Sequence, residues 1–297
     1  MLTNVFVCLM VGLAGFVDSI GGGGGLISLP AYLMGGLPVH QALATNKLSS
    51  SLGSSVAAFN YWRSGYMEWK ICVPAVFFAI IGAYIGSNLS LSIDEKILSG
   101  ILIFLLPLIA LYVIFGKRSL QDSQENRYGM KVTVIICSAT ALVIGFYDGF
   151  YGPGTGTFLM IVFSGICRLS LKECAGTTKA VNLTSNYISL AVFIYNGQVL
   201  YTLGLMAGIC NMIGCYLGSR CFSKNGSRIT RPIILLVLLI FCAKLVRELF
   251  FWCPSVIVVV ILRKLVSDFL HPQIKTRAYI CAVQKFSLQF IYDLLGQ

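Results

Sequence analysis

Apolar residues run along this chain in long blocks separated by short polar stretches. Ile97 to Phe115 and Pro232 to Ala243 are nearly unbroken, and similar runs recur along most of the sequence. Several reach the roughly 20 residues that a helix needs to cross a bilayer. The blocks predict helices over 41–62, 71–90, 97–115, 173–195, 200–219 and 232–250. Two further stretches are interrupted. Residues 2–20 are apolar, Gly21 to Gly25 break the run, and 26–36 resumes it; 131–167 is broken at Gly152-Pro153-Gly154-Thr155-Gly156. Unpaired backbone is costly in lipid, so such a break must be enclosed in protein or line a cavity. Each interrupted stretch is either one kinked span or a re-entrant hairpin that turns back at its glycines.

Composition removes the soluble alternatives. Of 297 residues, 57% are hydrophobic and 11% charged, against about a quarter charged in an ordinary globular domain. The chain reads as an all-α polytopic membrane protein whose main partner is the lipid bilayer. Its formal charge of +11 is no sign of nucleic-acid binding, because the cations sit in short loops between apolar segments. The eleven cysteines are scattered, form no CxxC and have few histidines to join them. They read as small apolar residues, and no metal or other cofactor is expected. The first apolar stretch contains Asp18 and lacks a basic leader, so it reads as a retained segment, not a cleaved signal.

The cations decide between span and hairpin. If 2–36 and 131–167 are hairpins, then Arg63, Lys70, Lys117, Arg118, Arg127, Lys131, Arg168, Lys172, Arg220, Lys224, Arg228 and Arg231 all fall on one side. The opposite loops then hold Lys96 beside Asp94 and Glu95. Full crossings would scatter the same charges over both sides. The hairpin arrangement therefore predicts an external N-terminus and cytoplasmic charged loops.

The chain also repeats itself. Gly15-Phe16-Val17-Asp18 returns as Gly145-Phe146-Tyr147-Asp148, 130 positions later. Thr45-Asn46-Lys47 returns as Thr177-Thr178-Lys179, Ser64-Gly65 as Asn196-Gly197, and Gly82 to Ser87 as Gly214 to Ser219, all at an offset of 132. The expected organisation is a first repeat over 1–116, a cytoplasmic linker over 117–131, a second repeat over 132–250, and an extension over 251–297. Each repeat holds a glycine-broken hairpin and three crossings, about eight hydrophobic segments in all. An odd number of crossings per repeat makes the two inverted in topology, an architecture common in secondary transporters.

Charges within the apolar blocks carry the candidate chemistry. One near the bilayer centre costs ~3 kcal/mol on insertion scales, so Asp18, Lys47, Asp148 and Lys179 should face a cavity or a partner. In one reading, Asp18 with Lys47 and Asp148 with Lys179 are ion pairs tying each hairpin to its next helix. Lys244 can snorkel to the interface. Consecutive glycines let backbone N–H groups converge, and a helix beginning there presents its positive end. Half-helices starting near Leu26 and Thr157 would make Gly23, Gly24, Gly25, Gly154, Thr155 and Gly156 an anion cradle flanked by Lys47 and Lys179. Asn46, Ser50 and Ser54 share one helix face, as do Thr178, Asn182 and Asn186. Asn46, Ser50, Asn182 and Asn186 are thus expected to orient the oxygens of a small anionic substrate. Asp18 and Asp148 would position the hairpins or take up protons. Nucleotide-loop and Ser–His motifs fail: no GK[ST] follows a strand, and the histidines are His40 and His271 alone.

At these residues the sequence resembles the TauE/SafE sulfite exporter family, and specifically its YfcA-like members. The resemblance is carried by Gly15 to Ile20 with Gly21 to Gly25, by Ala44 to Leu48, by Gly145 to Gly156 and by Thr178 to Asn182, and it covers about residues 5–248. It implies a bacterial inner-membrane transporter of sulfur-containing oxyanions such as sulfite or sulfonates, and not an enzyme. The residues also admit an anion channel of the same architecture, or an intramembrane aspartyl protease with Asp18 and Asp148 as its dyad. The tail after Phe250 departs from the family pattern.

Overall fold

A computed structural model describes residues 2–94 and 128–225. The expected spans 97–115 and 232–250, linker residues 117–127, Lys244 and the 251–297 extension lie outside the described residues. Within them every regular element is an α-helix: α1 (Leu2–Gly21), α2 (Gly25–Met34), α3 (Val39–Arg63), α4 (Trp69–Ser92), α5 (Met130–Phe150), α6 (Thr155–Gly165), α7 (Leu171–Tyr195) and α8 (Tyr201–Asn225). The apolar blocks become helices within a few residues of the predicted bounds, except that α8 runs six residues longer. The two glycine interruptions become the breaks between α1 and α2 and between α5 and α6.

Polarity is arranged inside out. The stretches Thr3–Gly21, Trp69–Ser92, Met130–Phe150 and Tyr201–Lys224 are long and apolar enough to cross a membrane. They turn large apolar side chains outward: Leu9, Phe77, Ile135 and Ile209 are 59–68% exposed. The equally long α3 and α7 are too polar to pass that criterion. They bury Asn46, Lys47, Ser49 and Ser51 on one helix and Thr178, Lys179, Asn182 and Asn186 on the other. A polar centre wrapped in outward-facing apolar helices is the reverse of a soluble core. The fold is that of a multi-pass membrane protein.

Small residues set the closest helix contacts. Gly82 and Gly86 of α4 face Gly145 and Gly149 of α5, and a Cβ at Gly86 would lie 2.1 Å from the Phe146 carbonyl oxygen. Gly214 and Gly218 of α8 meet Gly12 and Phe16 of α1 in the same way, with 2.0 Å from the Gly214 position to the Gly12 oxygen. Glycines four apart let backbones approach where lipid gives no hydrophobic drive. The recurring Gly82–Ser87 and Gly214–Ser219 motifs are therefore packing surfaces, each against the first helix of the other half. The polar α3 packs on α7 and α8, and α7 also on α4.

The broken segments fold back. Gly24 faces Ala14 and Asp18, while a Cβ on Gly35, just past α2, would lie 3.2 Å from Val7. So α2 runs antiparallel along the end of α1 that precedes the break. In the second half the rings of Tyr147 and Phe158 are 5.6 Å apart, and the free thiols of Cys137 and Cys167 are hydrogen-bonded near the other end. Cations gather at one end of the bundle: Arg168 lies 4.9 Å from the Tyr128 ring and Lys172 5.7 Å from the Tyr66 ring. There α7 starts on a capping box, Ser170 accepting from the Glu173 N–H while Glu173 accepts from the Ser170 N–H. At the opposite end His40 meets the Ser90 carbonyl and the Leu200 N–H donates to Thr45.

Candidate functional site

The two breaks meet each other. Gly22 and Gly152, 130 positions apart, both have positive φ, +75° and +97°, which a residue with a Cβ adopts only under strain. A Cβ on Gly22 would lie 2.2 Å from Gly156. Thr157 Oγ1 donates to the Gly21 carbonyl at 2.9 Å across the same contact. Beside it lies a cavity of about 30 Å³, above the ~10–15 Å³ that one water requires.

Most of the sequence candidates come together in its wall. Lys47, Asn46 and Ser50 reach it from α3, and Asn182 and Asn186 from α7. Gly25, Gly154, Thr155 and Gly156 reach it from the breaks, with Asp18 and Asp148 from the helices before them. Gly23, Gly24 and Lys179 do not line it. Gly24 instead gives its N–H to Asp18 Oδ1 at 3.2 Å. The helices after the breaks begin at Gly25 and Thr155, one and two residues before Leu26 and Thr157, so both helix N-termini open on this space.

Ion pairing differs from the sequence reading. Lys47 Nζ lies 3.0 Å from Asp148 Oδ1, and Lys179 Nζ bonds Asp18 Oδ2. Each lysine thus reaches the aspartate of the other half, not its own. The reason is topological. The glycine contact presses each break against the opposite half, which brings each aspartate to the other half's central helix. Lys47 also donates to Asn186 Oδ1 at 3.0 Å. Asn186 is seven residues past Lys179 on α7, so the two pairs stand about two turns apart along that helix, ~10 Å. A protease dyad needs two carboxylates sharing a proton ~3 Å apart; here each carboxylate has its own lysine.

The surroundings of the two aspartates are unequal. Asp148 accepts from Thr155 Oγ1 at 2.8 Å and from Ser185 Oγ as well as from Lys47. Its side chain is 4% exposed, against 18% for Asp18, which holds Lys179 and the Gly24 N–H. At the repeat offsets, Thr155 corresponds to Gly25 and Ser185 to Gly53. The first half therefore has no hydroxyl to offer at either place. Sequence reading missed Ser185, and also Ser28, which donates to Asn46 Oδ1 at 2.6 Å. Ser185 was detectable, since it lies three residues past Asn182 on the face already singled out. Two acceptor or hydroxyl groups near Lys179 are buried with no hydrogen-bond partner, Thr178 Oγ1 and Asn182 Oδ1.

Comparison with known proteins agrees with this architecture. The family model described as sulfite exporter TauE/SafE matches residues 7–245. A probable membrane transporter protein of Sinorhizobium sp is 36% identical over 250 residues, 84% of this chain and 93% of that one. The probable membrane transporter protein YfcA of Escherichia coli is 33% identical over 237 residues, 80% and 87% of the two chains. One from Haemophilus influenzae is 32% identical over 236 residues, 80% and 91%. No solved structure matches significantly. The chain belongs to the sulfite exporter TauE/SafE family.

Proposed function

We propose that the chain is a secondary transporter of small anions, sulfur-containing oxyanions such as sulfite and sulfonates foremost, in a bacterial inner membrane. The observation that carries the reading is the convergence of two helix N-termini, from α2 and α6, on one polar cavity. Backbone N–H groups at helix starts favour anions, and two of them facing one space make a site that needs no metal. The names of the family and of the relatives supply the substrate class and the word transporter.

In this reading each half is a repeat of inverted topology, its broken segment a re-entrant hairpin, with the N-terminus outside and the cationic end in the cytoplasm. The antiparallel return of α2 along α1 and the gathering of cations at one end support it. Lys47 and Lys179 neutralise the substrate, and Asn46, Ser50, Asn182 and Asn186 orient it. The cavity as it stands is tight for a sulfur oxyanion, as expected of an occluded state. The two ion pairs, about two turns apart, bracket the glycine contact, and each joins one half to the other. Releasing one pair while the other holds would open the cavity to one side at a time.

Sulfite, sulfate, thiosulfate and sulfonate flux into proteoliposomes tests the proposal. At least one should move with saturating kinetics, and Lys47→Ala and Lys179→Ala should abolish that flux while the protein remains folded. Undiminished flux in both variants would remove the lysines from the site. Cysteines placed at 121–126 should label from the cytoplasmic side; external labelling would overturn the topology.

A further inference from the structure

We propose that a monovalent anion moves together with one proton carried by Asp18, so that net transport is electroneutral. This rests on the reading of the chain as an anion transporter. Its basis is the charge of the cavity wall, which holds two carboxylates, Asp18 and Asp148, and one ammonium, Lys47. Lys179 stands behind that wall, bonded to Asp18 Oδ2. Fully ionised, the two pairs cancel in charge, and both ammonium groups are already engaged by carboxylates. An anion can take an ammonium only by displacing a carboxylate of the same charge.

Protonation removes the competitor. A proton from the aqueous side converts the Asp18 carboxylate to the acid, the Lys179 ammonium keeps its charge, and the anion occupies the place the carboxylate leaves. The proton adds one positive charge and the anion one negative, so the site returns to its starting charge. Release on the far side reverses both steps.

Asp18 is the carrier because it is the looser of the two. Asp148 has donors on both oxygens, Thr155 and Lys47 on Oδ1 and Ser185 on Oδ2. Asp18 has Lys179 on one oxygen and a long backbone bond from Gly24 on the other, and is the more exposed. The titratable groups facing Asp18 are Lys179 from α7, Lys47 and Tyr61 from α3, and Cys215 from α8. Asp148 of α5 faces the same cavity. The sequence of α6 has no titratable side chain, and the one in α2, Tyr32, is bonded to Ser49. Of the five buried polar groups without a partner among the described residues, two lie within three positions of Lys179 on α7. Thr178 Oγ1 is a hydroxyl free to donate to an anion oxygen, and Asn182 Oδ1, in the cavity wall, is an acceptor awaiting a donor. The Asp18 acid O–H or the released ammonium supplies one.

The test uses the full-length protein in liposomes, with methanesulfonate as the probe because it carries no proton of its own near neutrality. Luminal pH is read by a trapped dye while potassium and valinomycin clamp the membrane potential. Anion entry should acidify the lumen by one proton per methanesulfonate. The rate should be indifferent to the clamped potential and rise by up to about tenfold per pH unit on acidification, the limit for one linked proton. Asp18→Asn should abolish luminal acidification and leave an anion exchange that no longer responds to pH; Asp148→Asn should retain the acid dependence. Anion flux without proton movement, or flux driven by voltage or by sodium, overturns the coupling and leaves the transporter reading standing. Loss of proton movement in Asp148→Asn alone overturns the assignment to Asp18. No flux of methanesulfonate overturns the transporter reading and the coupling with it. Should Asp18→Asn fail to fold, the wild-type proton-to-anion ratio still decides.

Discussion

The two ion pairs are built from the same residue types at matching places in the two halves, yet they are held differently. Lys47–Asp148 is a closed unit in which Thr155, Ser185 and Asn186 occupy the remaining groups of the pair. Lys179–Asp18 has a backbone N–H on one oxygen and unpartnered neighbours at Thr178 and Asn182. A few side chains account for the contrast: Thr155 and Ser185 in one half stand where the other has Gly25 and Gly53. The same two residue types thus form both pairs, and the hydroxyls around them close one and leave the other open. A buried pair is weak evidence of stability in itself, because desolvation offsets most of the attraction. The dressing around the pair decides which role it takes.

Removing a partner should separate the two most sharply. Asp148→Ala leaves the Lys47 ammonium buried without its counter-charge, a loss of about 3–5 kcal/mol by analogy with other broken buried pairs. Asp18→Ala should cost clearly less, because the Asp18 side chain is 18% exposed against 4% for Asp148 and fewer donors are orphaned with it. Thermal unfolding in detergent compares them directly, and an equal or larger loss for Asp18→Ala would erase the distinction. A smaller effect is expected from Ser185→Ala, which leaves Asp148 Oδ2 without its hydroxyl donor. Leaving a buried acceptor unsatisfied costs about 1–3 kcal/mol, and the donors kept from Thr155 and Lys47 hold the loss in that range. Restoring the hydroxyl with Ser185→Thr should recover part of it, and an unshifted melting temperature in Ser185→Ala would show that the bond carries no weight.

Much of this was legible in the order of residues. Block hydrophobicity placed the helices, because a span is a long signal that survives errors at its ends. The glycine runs and the charges near them marked the site, because nothing but enclosure makes either tolerable in lipid. The pairing was not legible. Sequence distance favours Asp18 with Lys47, 29 positions apart, over Asp18 with Lys179, 161 apart. Only the contact of Gly22 with Gly156, a matter of packing across the halves, brings the distant partners together. The engagement of the lysines was not legible either: both are held by carboxylates of the other half, and Lys179 does not reach the cavity wall. Of the donors that rank the two aspartates, Thr155 stands in the second glycine break and was already a candidate, while Ser185 is one hydroxyl among several on α7.

The smallest effect bears on the same contrast from its open side. Thr178 is 1% exposed and its hydroxyl has no partner. Val has nearly the same shape, so Thr178→Val removes a buried hydroxyl without opening a cavity. A hydroxyl that bonds nothing contributes only its desolvation cost, so the variant should be neutral or more stable by up to about 1 kcal/mol. If the hydroxyl binds substrate, the same variant should weaken anion affinity, raising KM for flux or reducing the thermal shift that an anion produces. Stability and binding would then move in opposite directions at one residue. A structural role predicts the reverse pairing, lower stability with unchanged affinity. Thr155→Val, at the closed pair, should show that structural pattern on stability, because its hydroxyl is bonded to Asp148.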